Sequence, residues 1–425
     1  MEHADWTAFP PLDHPRWRAI AEKGLRGKSW EDIERPRPDG RVLPVRVDPA
    51  DPLAAPRGLP DRAIGGPETG QPWQLQQTLH TPEALKQALM HGVEGIRISE
   101  AAQQAHGMRT LLDGVYLDMV DVHLDGPEAT GLLRGLVEQG LSGEQLTGSC
   151  SRDVLRAPEN GTLARHVEAW GAAFPRLLTW GCDAAPWIDA GVGWVDALSA
   201  VVSGWDAGIQ ALEAEGIGRE AAMAHCTVRW AVGAEVLVEA SALRALRMLW
   251  AKWCTHHHTP PRPLWIDART STRSFVRELP EDNLLRMTAA SYAAVLGGAD
   301  GIETLPHDFR EGLSSDAALR YARNVQHLLR EESALHLTCD PFQGSHAVEF
   351  LTNQAVDAAW SSYLRDAEAG GWPVLWESGE WSRRVERGRV AGLQAPLFLP
   401  RDVERGNAPL PANFREAVYF ADHQA

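Results

Sequence analysis

The run Asp267-Ala268-Arg269-Thr270-Ser271-Thr272-Arg273-Ser274 carries the densest set of anion-holding side chains in the sequence. A guanidinium offers N–H donors in a fork that matches a carboxylate or a phosphate. The hydroxyls of Thr270 and Ser271 add donors beside Arg269, and Arg273 and Arg277 follow at intervals of four. The same arginines are equally suited to pairing with Asp267, Glu278, Glu281 or a partner subunit, and the run alone does not separate the two readings. A second set, His256-His257-His258, suggests a metal by residue type. Adjacent side chains do not converge on one ion, and no Asp, Glu or Cys stands at ligand spacing. A histidine-rich helix end near the negative dipole terminus is therefore the expectation, and no metal site is expected. Neither a P-loop, a GxGxxG fingerprint, a GxSxG elbow nor an HExxH pair occurs.

These side chains need elements to hold them. Leu264–Ile266 reads as a buried strand that empties into the polar loop 267–277. A helix over Glu281–Leu296 follows, Gly297-Gly298 stops it, and Gly301–Leu305 reads as the next strand. This is one β/α unit, and its loop lies at the carboxyl end of a strand, where barrels and open α/β sheets place ligands. The same alternation gives strands at Trp73–Leu79, Gly95–Ile98, Val115–His123, Leu146–Ser149, Leu177–Trp180 and Leu335–Cys339. Between them, helices are predicted at Pro82–His91, Ala101–Leu112, Pro127–Gln139, Leu163–Ala173, Val195–Gly216, Arg219–Thr255 and Asp316–Glu331. Eight short strands separated by helices predict the α/β class and a (β/α)8 barrel over 66–345, with an open doubly wound sheet as the alternative. Residues 1–65 read as an N-terminal arm. It has a short helix over Arg16–Gly24 and proline-rich text in which VLPVRV suggests docking on another surface. Residues 346–425 read as a helical linker (Glu349–Glu368, ended by Gly370-Gly371, then Glu377–Arg389) and an extended proline-rich tail.

The chain has 425 residues with 44% apolar and 23% charged content, ordinary for a globular protein, and a formal charge of -16. That charge argues against a nucleic-acid or anionic-membrane surface. The five cysteines show no CxxC pair, so reduced, buried thiols and a reducing compartment are expected. No signal peptide or membrane span is read, and a cytoplasmic location is expected. The 17 tryptophans are an excess with two readings: packing between helices and strands, or rings that plug an interior space.

The segments ARTSTRS, DNLLRMTAASYAAVLGGADGI and DPFQGSHAVEFLTNQAVDAAW resemble the methylmalonyl-CoA mutase family. RPDGRVLPVRVDPADP, QPWQLQQTLHTPE, FPRLLTWGCDAAPWIDAGVGWVDALSAVVSGWDAGIQAL, VRWAVGAEVLVEASALRALRMLWAKW and RRVERGRVAGLQAPLF extend the likeness over most of the chain. The closest resemblance is to the small, non-catalytic subunit of heterodimeric bacterial members. It implies an acyl-CoA-threading barrel that works with adenosylcobalamin, which rearranges the carbon skeleton by radical chemistry. It also implies departures at the family's working positions. Gln76 and Thr78 stand where catalytic members carry arginine and tyrosine in the strand-one motif. Ile188, within Trp187-Ile188-Asp189, replaces the histidine that donates to the thioester. Asp267 and Arg269 replace a histidine and a glutamine in the motif on the sixth predicted strand. Isoleucine neither donates a hydrogen bond nor transfers a proton. No catalytic residue is therefore assigned, and Arg269, Thr270, Ser271 and Arg273 are named only as positions matching the substrate loop.

Asp121-Val122-His123-Leu124-Asp125-Gly126 fits the DxHxxG pattern that ligates cobalt in cobalamin domains. It falls on the third predicted barrel strand with one amphipathic helix after it, so a strand end and a turn are expected instead. The sequence ends after the linker, and the cobalamin-binding domain is expected to be absent. No cofactor is expected on this chain alone, with adenosylcobalamin in the assembled enzyme. The expected role is a small subunit supporting a large catalytic chain in a heterodimer. The alternatives are the barrel half of a split mutase, binding acyl-CoA and borrowing a separate cobalamin-binding subunit, and a non-enzymatic CoA-binding scaffold.

Overall fold

In the stretch Gly95-Ile96-Arg97-Ile98, Ile96 and Ile98 join the apolar core, while Arg97 takes the opposite phase. Successive side chains of a strand face opposite sides, so one face meets the helices and the other an interior. The computed structural model describes residues 14–30, 33–36, 42–57, 72–124, 146–156, 162–277, 279–312 and 314–394. Its barrel strands are β1 (Gln74–Leu79), β2 (Gly95–Ile98), β3 (Asp121–Leu124), β4 (Gly148–Asp153), β5 (Leu177–Asp183), β6 (Cys226–Val232), β7 (Trp265–Thr270) and β8 (Gly301–Glu303). All neighbours are parallel. β8 pairs with both β7 (Gly301 opposite Asp267) and β1 (Gly301 opposite Gln74), which closes the barrel. The (β/α)8 expectation holds, and the open-sheet alternative does not.

The third strand starts later than the expected Val115, at Asp121, with turns and loop before it, and two further elements differ in kind. Cys226–Val232 was expected to be helical and forms β6; it alternates inward Thr227, Arg229 and Ala231 with buried Val228, Trp230 and Val232. A period of two was hidden there because helix text begins almost at once, with Val236–His256 following. Leu335–Cys339, expected as the last strand, contains a 3-10 turn over Leu335–Leu337 entered through Ala334 in the left-handed region. Gly301–Glu303 already pairs on both edges, so no edge remains for it. The motif at Asp267–Ser274 thus belongs to the seventh strand, not the sixth, and it is not all loop: Asp267–Thr270 are the last residues of β7 and Thr272–Ser274 form a 3-10 turn beyond it. The helix expected at 127–139 lies outside the described residues.

The linker helix His346–Glu368 packs on the Trp194–Ala214 and Val236–His256 helices. A buried ion cluster joins it to the latter: Arg244 meets Asp340 at 2.9 Å and Glu349 at 3.0 Å and is 1% exposed. Short helices Gly371–Glu377 and Glu380–Gln394 follow. The arm docks through Leu53 and Ala55, whose carbonyls accept from Asn353, and through Arg57 paired with Asp357. Val42 and Val45 of VLPVRV remain 40% and 47% exposed, so the contact falls later in the arm than expected. The buried tryptophans mostly fill spaces between strands and helices. Trp180, for example, donates to the Ala222 carbonyl and lies against Gly208, where a Cβ would come within 2.4 Å of its ring.

Candidate functional site

Side chains on non-adjacent barrel strands meet only by crossing the axis. Arg97 of β2 donates to Asp267 of β7 and lies 3.9 Å from Glu303 of β8. Arg229 of β6 pairs with Glu303 at 2.8 Å and lies 3.9 Å from Asp267. The Thr78 hydroxyl of β1 also donates to Glu303. Arg97, Asp267 and Glu303 are 3%, 5% and 2% exposed, so these contacts fill the axis. Two guanidiniums face two carboxylates. Each charge is compensated, as a buried ion must be to avoid a cost of several kcal/mol. Burial pushes the Glu303 carboxyl up, but Arg229, Arg97 and the Thr78 hydroxyl outweigh it and hold the group below the usual range.

A polar layer adjoins the ion pairs. His123 of β3 bonds Ser149 at 2.9 Å through Nδ1, and Gln74 at 3.0 Å and Gln76 at 3.2 Å through Nε2. Gln76 and Trp265 crowd Gly301, where a Cβ would stand 2.2 Å from the Gln76 amide nitrogen. A side chain at this point of β8 would have to push the Gln76 amide out of its hydrogen bonds. The histidine of the DxHxxG pattern is therefore an interior strand residue, 1% exposed.

The mouth is tied across as well. The short helix Ala185–Ala190 after β5 ends beside Asp189, which reaches over β6 to the end of β7. Its carboxylate accepts from Arg269 at 2.6 Å, from the Ser271 hydroxyl at 2.6 Å and from the Thr272 N–H at 3.1 Å. Trp187 of the same helix packs on Trp376 and Trp381 of the linker at ring distances of 5.9 and 5.4 Å. Just beyond, Gly191 and Gly388 bring the two backbones together; a Cβ on Gly388 would meet the Gly191 carbonyl at 2.4 Å. Elsewhere on the mouth, Asp153 at the end of β4 accepts from the N–H groups of Asp183 and Leu155. Burial and the neighbouring Asp183 charge push its carboxyl up to about 7, against the opposing pull of Arg156 and those N–H donors.

The positions named from sequence separate into two places. Gln76, Thr78 and Asp267 lie on the axis, and Arg269 and Ser271 at the mouth are both taken up by Asp189. Thr270 spends its hydroxyl oxygen on the Leu305 N–H, 2.8 Å away. Arg273 is half-buried, and its N–H turns back to the Ser271 hydroxyl. Ile188 is buried in the apolar core beside Trp187. Arg97, Arg229 and Glu303 were missed, although a charge at the inward phase of an otherwise apolar strand is their signal. Of the histidine triplet, His256 ends its helix as expected. His257 packs on Trp253 at 4.3 Å and faces Asp206 at 3.3 Å. Among the described residues no group of three His, Cys, Asp or Glu side chains is placed to hold a metal, and no helix is long and apolar enough to cross a membrane. None of the five cysteines, all among the described residues, forms a disulfide; four are buried, and Cys339 is exposed against expectation.

Fold and interior together define a class: an α/β barrel with a helical linker, whose axis is occupied by its own paired charges. Comparison narrows the class. The family model for methylmalonyl-CoA mutase matches residues 87–394, and the chain belongs to that family. It is 31% identical to the methylmalonyl-CoA mutase small subunit of Streptomyces virginiae over 97% of this chain and 76% of that protein. It is 25% identical to the human mitochondrial methylmalonyl-CoA mutase over 88% of this chain, and 26% identical to the Rhizobium meliloti enzyme over 87%. It spans 57% and 60% of those two proteins.

Proposed function

We propose that this chain is the small subunit of a cobalamin-dependent acyl-CoA mutase that interconverts methylmalonyl-CoA and succinyl-CoA, and that it supports a large catalytic chain in a cytoplasmic heterodimer rather than turning over acyl-CoA itself. The observation that carries this reading is the axis itself. A thioester threading the barrel would have to displace Arg97, Asp267, Glu303 and Arg229 from one another. That would leave buried charges without partners, an expensive exchange for a ligand whose pantetheine arm is neutral. Adenosylcobalamin would supply the radical in the assembled enzyme. The one histidine in a cobalt-ligating pattern does not fit that group: His123 is enclosed in the barrel and bonded to Ser149, Gln74 and Gln76. The cofactor is accordingly assigned to the partner.

The split-mutase alternative would need loop hydroxyls, such as those of Ser149, Ser151, Thr270, Ser271 and Ser274, to be available to a ligand. Each of them makes an internal hydrogen bond: to His123, the Leu178 carbonyl, the Leu305 N–H, Asp189 and the Ser271 carbonyl respectively. That pattern favours the supporting role. The test is co-expression of this chain with a large mutase chain, measuring soluble yield, half-life and mutase turnover with and without it. Equal stability and activity of the large chain alone would sink the supporting role.

A further inference from the structure

The Asp189 carboxylate is held as a ligand carboxylate would be. One oxygen faces the Arg269 guanidinium, and the other takes a hydroxyl from Ser271 and a backbone N–H from Thr272. A charged fork, a hydroxyl and a main-chain donor converge within four residues of chain. The receiving turn is fixed by contacts that do not involve Asp189. The Ser271 N–H donates to the Val232 carbonyl at 2.7 Å, Thr270 accepts from Leu305, and the Phe275 N–H closes the turn on Thr272 at 3.2 Å. Asp189 arrives from a different element, the helix after β5, and its side chain is 4% exposed against 13% for Arg269.

We propose that the turn 269–272 is a carboxylate-binding site that the chain fills with its own Asp189. A free carboxylate therefore enters only when Asp189 is withdrawn. The chemistry selects a carboxylate over a phosphate: the donors account for two oxygens around a single guanidinium, and a dianion with further oxygens would bring unmatched acceptors into a nearly closed space. Removing the Asp189 side chain leaves a half-buried guanidinium and a buried hydroxyl facing a gap of carboxylate shape. The site is occupied from within, and the helix that supplies Asp189 is latched from behind by Trp187 and Gly191.

The test is chemical rescue of Asp189→Ala by acetate. Urea midpoints are measured for wild type, Asp189→Ala and Asp189→Ala/Arg269→Met in rising sodium acetate, against sodium chloride at equal ionic strength. The expected result is a lowered midpoint in Asp189→Ala that acetate restores saturably, the folding equilibrium moving about tenfold at ten times the acetate dissociation constant. Wild type and the double variant show no acetate increment over chloride. Acetate acting no better than chloride, or equally on all three proteins, overturns the proposal. Should Asp189→Ala fail to fold in chloride, recovery of folded protein in acetate supports it and failure in both salts overturns it.

Discussion

Arg97 illustrates how much one side chain carries when it stands on a barrel axis. It sits between Asp267 and Glu303, and all three are nearly closed to solvent. Arg97→Ala strands those carboxylates with only Arg229 between them, so a loss of about 3–5 kcal/mol is expected, read as a fall in urea midpoint. Replacing Arg97 and Asp267 together by apolar residues of similar volume leaves the Arg229–Glu303 pair intact and should cost less than Arg97→Ala alone. A double variant worse than the single one would contradict the pairing. Asp153 gives a pH signature. Its folded carboxyl titrates at about 7, above the ordinary value of 3.8, so the folded state binds the proton more tightly. The resulting stability is present below the unfolded value and lost as pH rises through about 7. Asp153→Asn, which fixes the neutral form, should flatten the decline in stability between about pH 4 and 7; an unchanged slope would assign that decline to other groups. At this scale the sequence was half readable. Asp267 and Arg269 stood out because they cluster along the chain. Arg97, Arg229 and Glu303 did not, since their cluster exists only once β2, β6 and β8 are wrapped around one axis.

Among the elements, the helix Ala185–Ala190 has two jobs. Trp187 meets the linker tryptophans on one side, and Asp189 binds the end of β7 on the other. The glycine crossing fixes its distance from the Glu380–Gln394 helix, since neither Gly191 nor Gly388 has room for a Cβ. Gly388→Ala should push that helix away and cost about 1–3 kcal/mol, the range of an overpacked contact. Near-UV dichroism follows it, because Trp187, Trp376 and Trp381 report the junction. A variant with the same melting temperature and the same tryptophan signal would mean the crossing relaxes freely. Element reading from sequence worked where a strand is bracketed by turn residues, as in β1, β2 and β8. It failed at β6, where only Gly233 and two further residues separate strand from helix. It also failed at Leu335–Leu337, where apolar text without an open strand edge to join forms a 3-10 turn instead. The eight-strand count held because these two errors cancelled.

For the whole molecule, the question is whether a barrel that fills its own axis still responds to the substrate of its family. A ligand that binds only the folded state stabilises it by RT ln(1 + [L]/Kd), roughly 2.7 kcal/mol at a hundredfold excess over Kd. Threading acyl-CoA here requires the axis charges to part first, and that cost subtracts directly from affinity. Methylmalonyl-CoA or succinyl-CoA at millimolar concentration is therefore expected to leave the melting temperature of the isolated chain unchanged and to give no saturable heat by calorimetry. The large chain binds the same thioester under the same conditions if the division of labour is as proposed. The result is informative in both directions. Saturable heat with the wild-type chain would mean that the Arg97–Asp267–Glu303–Arg229 network opens at modest cost, which favours a split enzyme that binds acyl-CoA on this barrel. Silence from the wild-type chain, with heat appearing only when the network is replaced by small neutral side chains, would show the paired charges to be what keeps the substrate out.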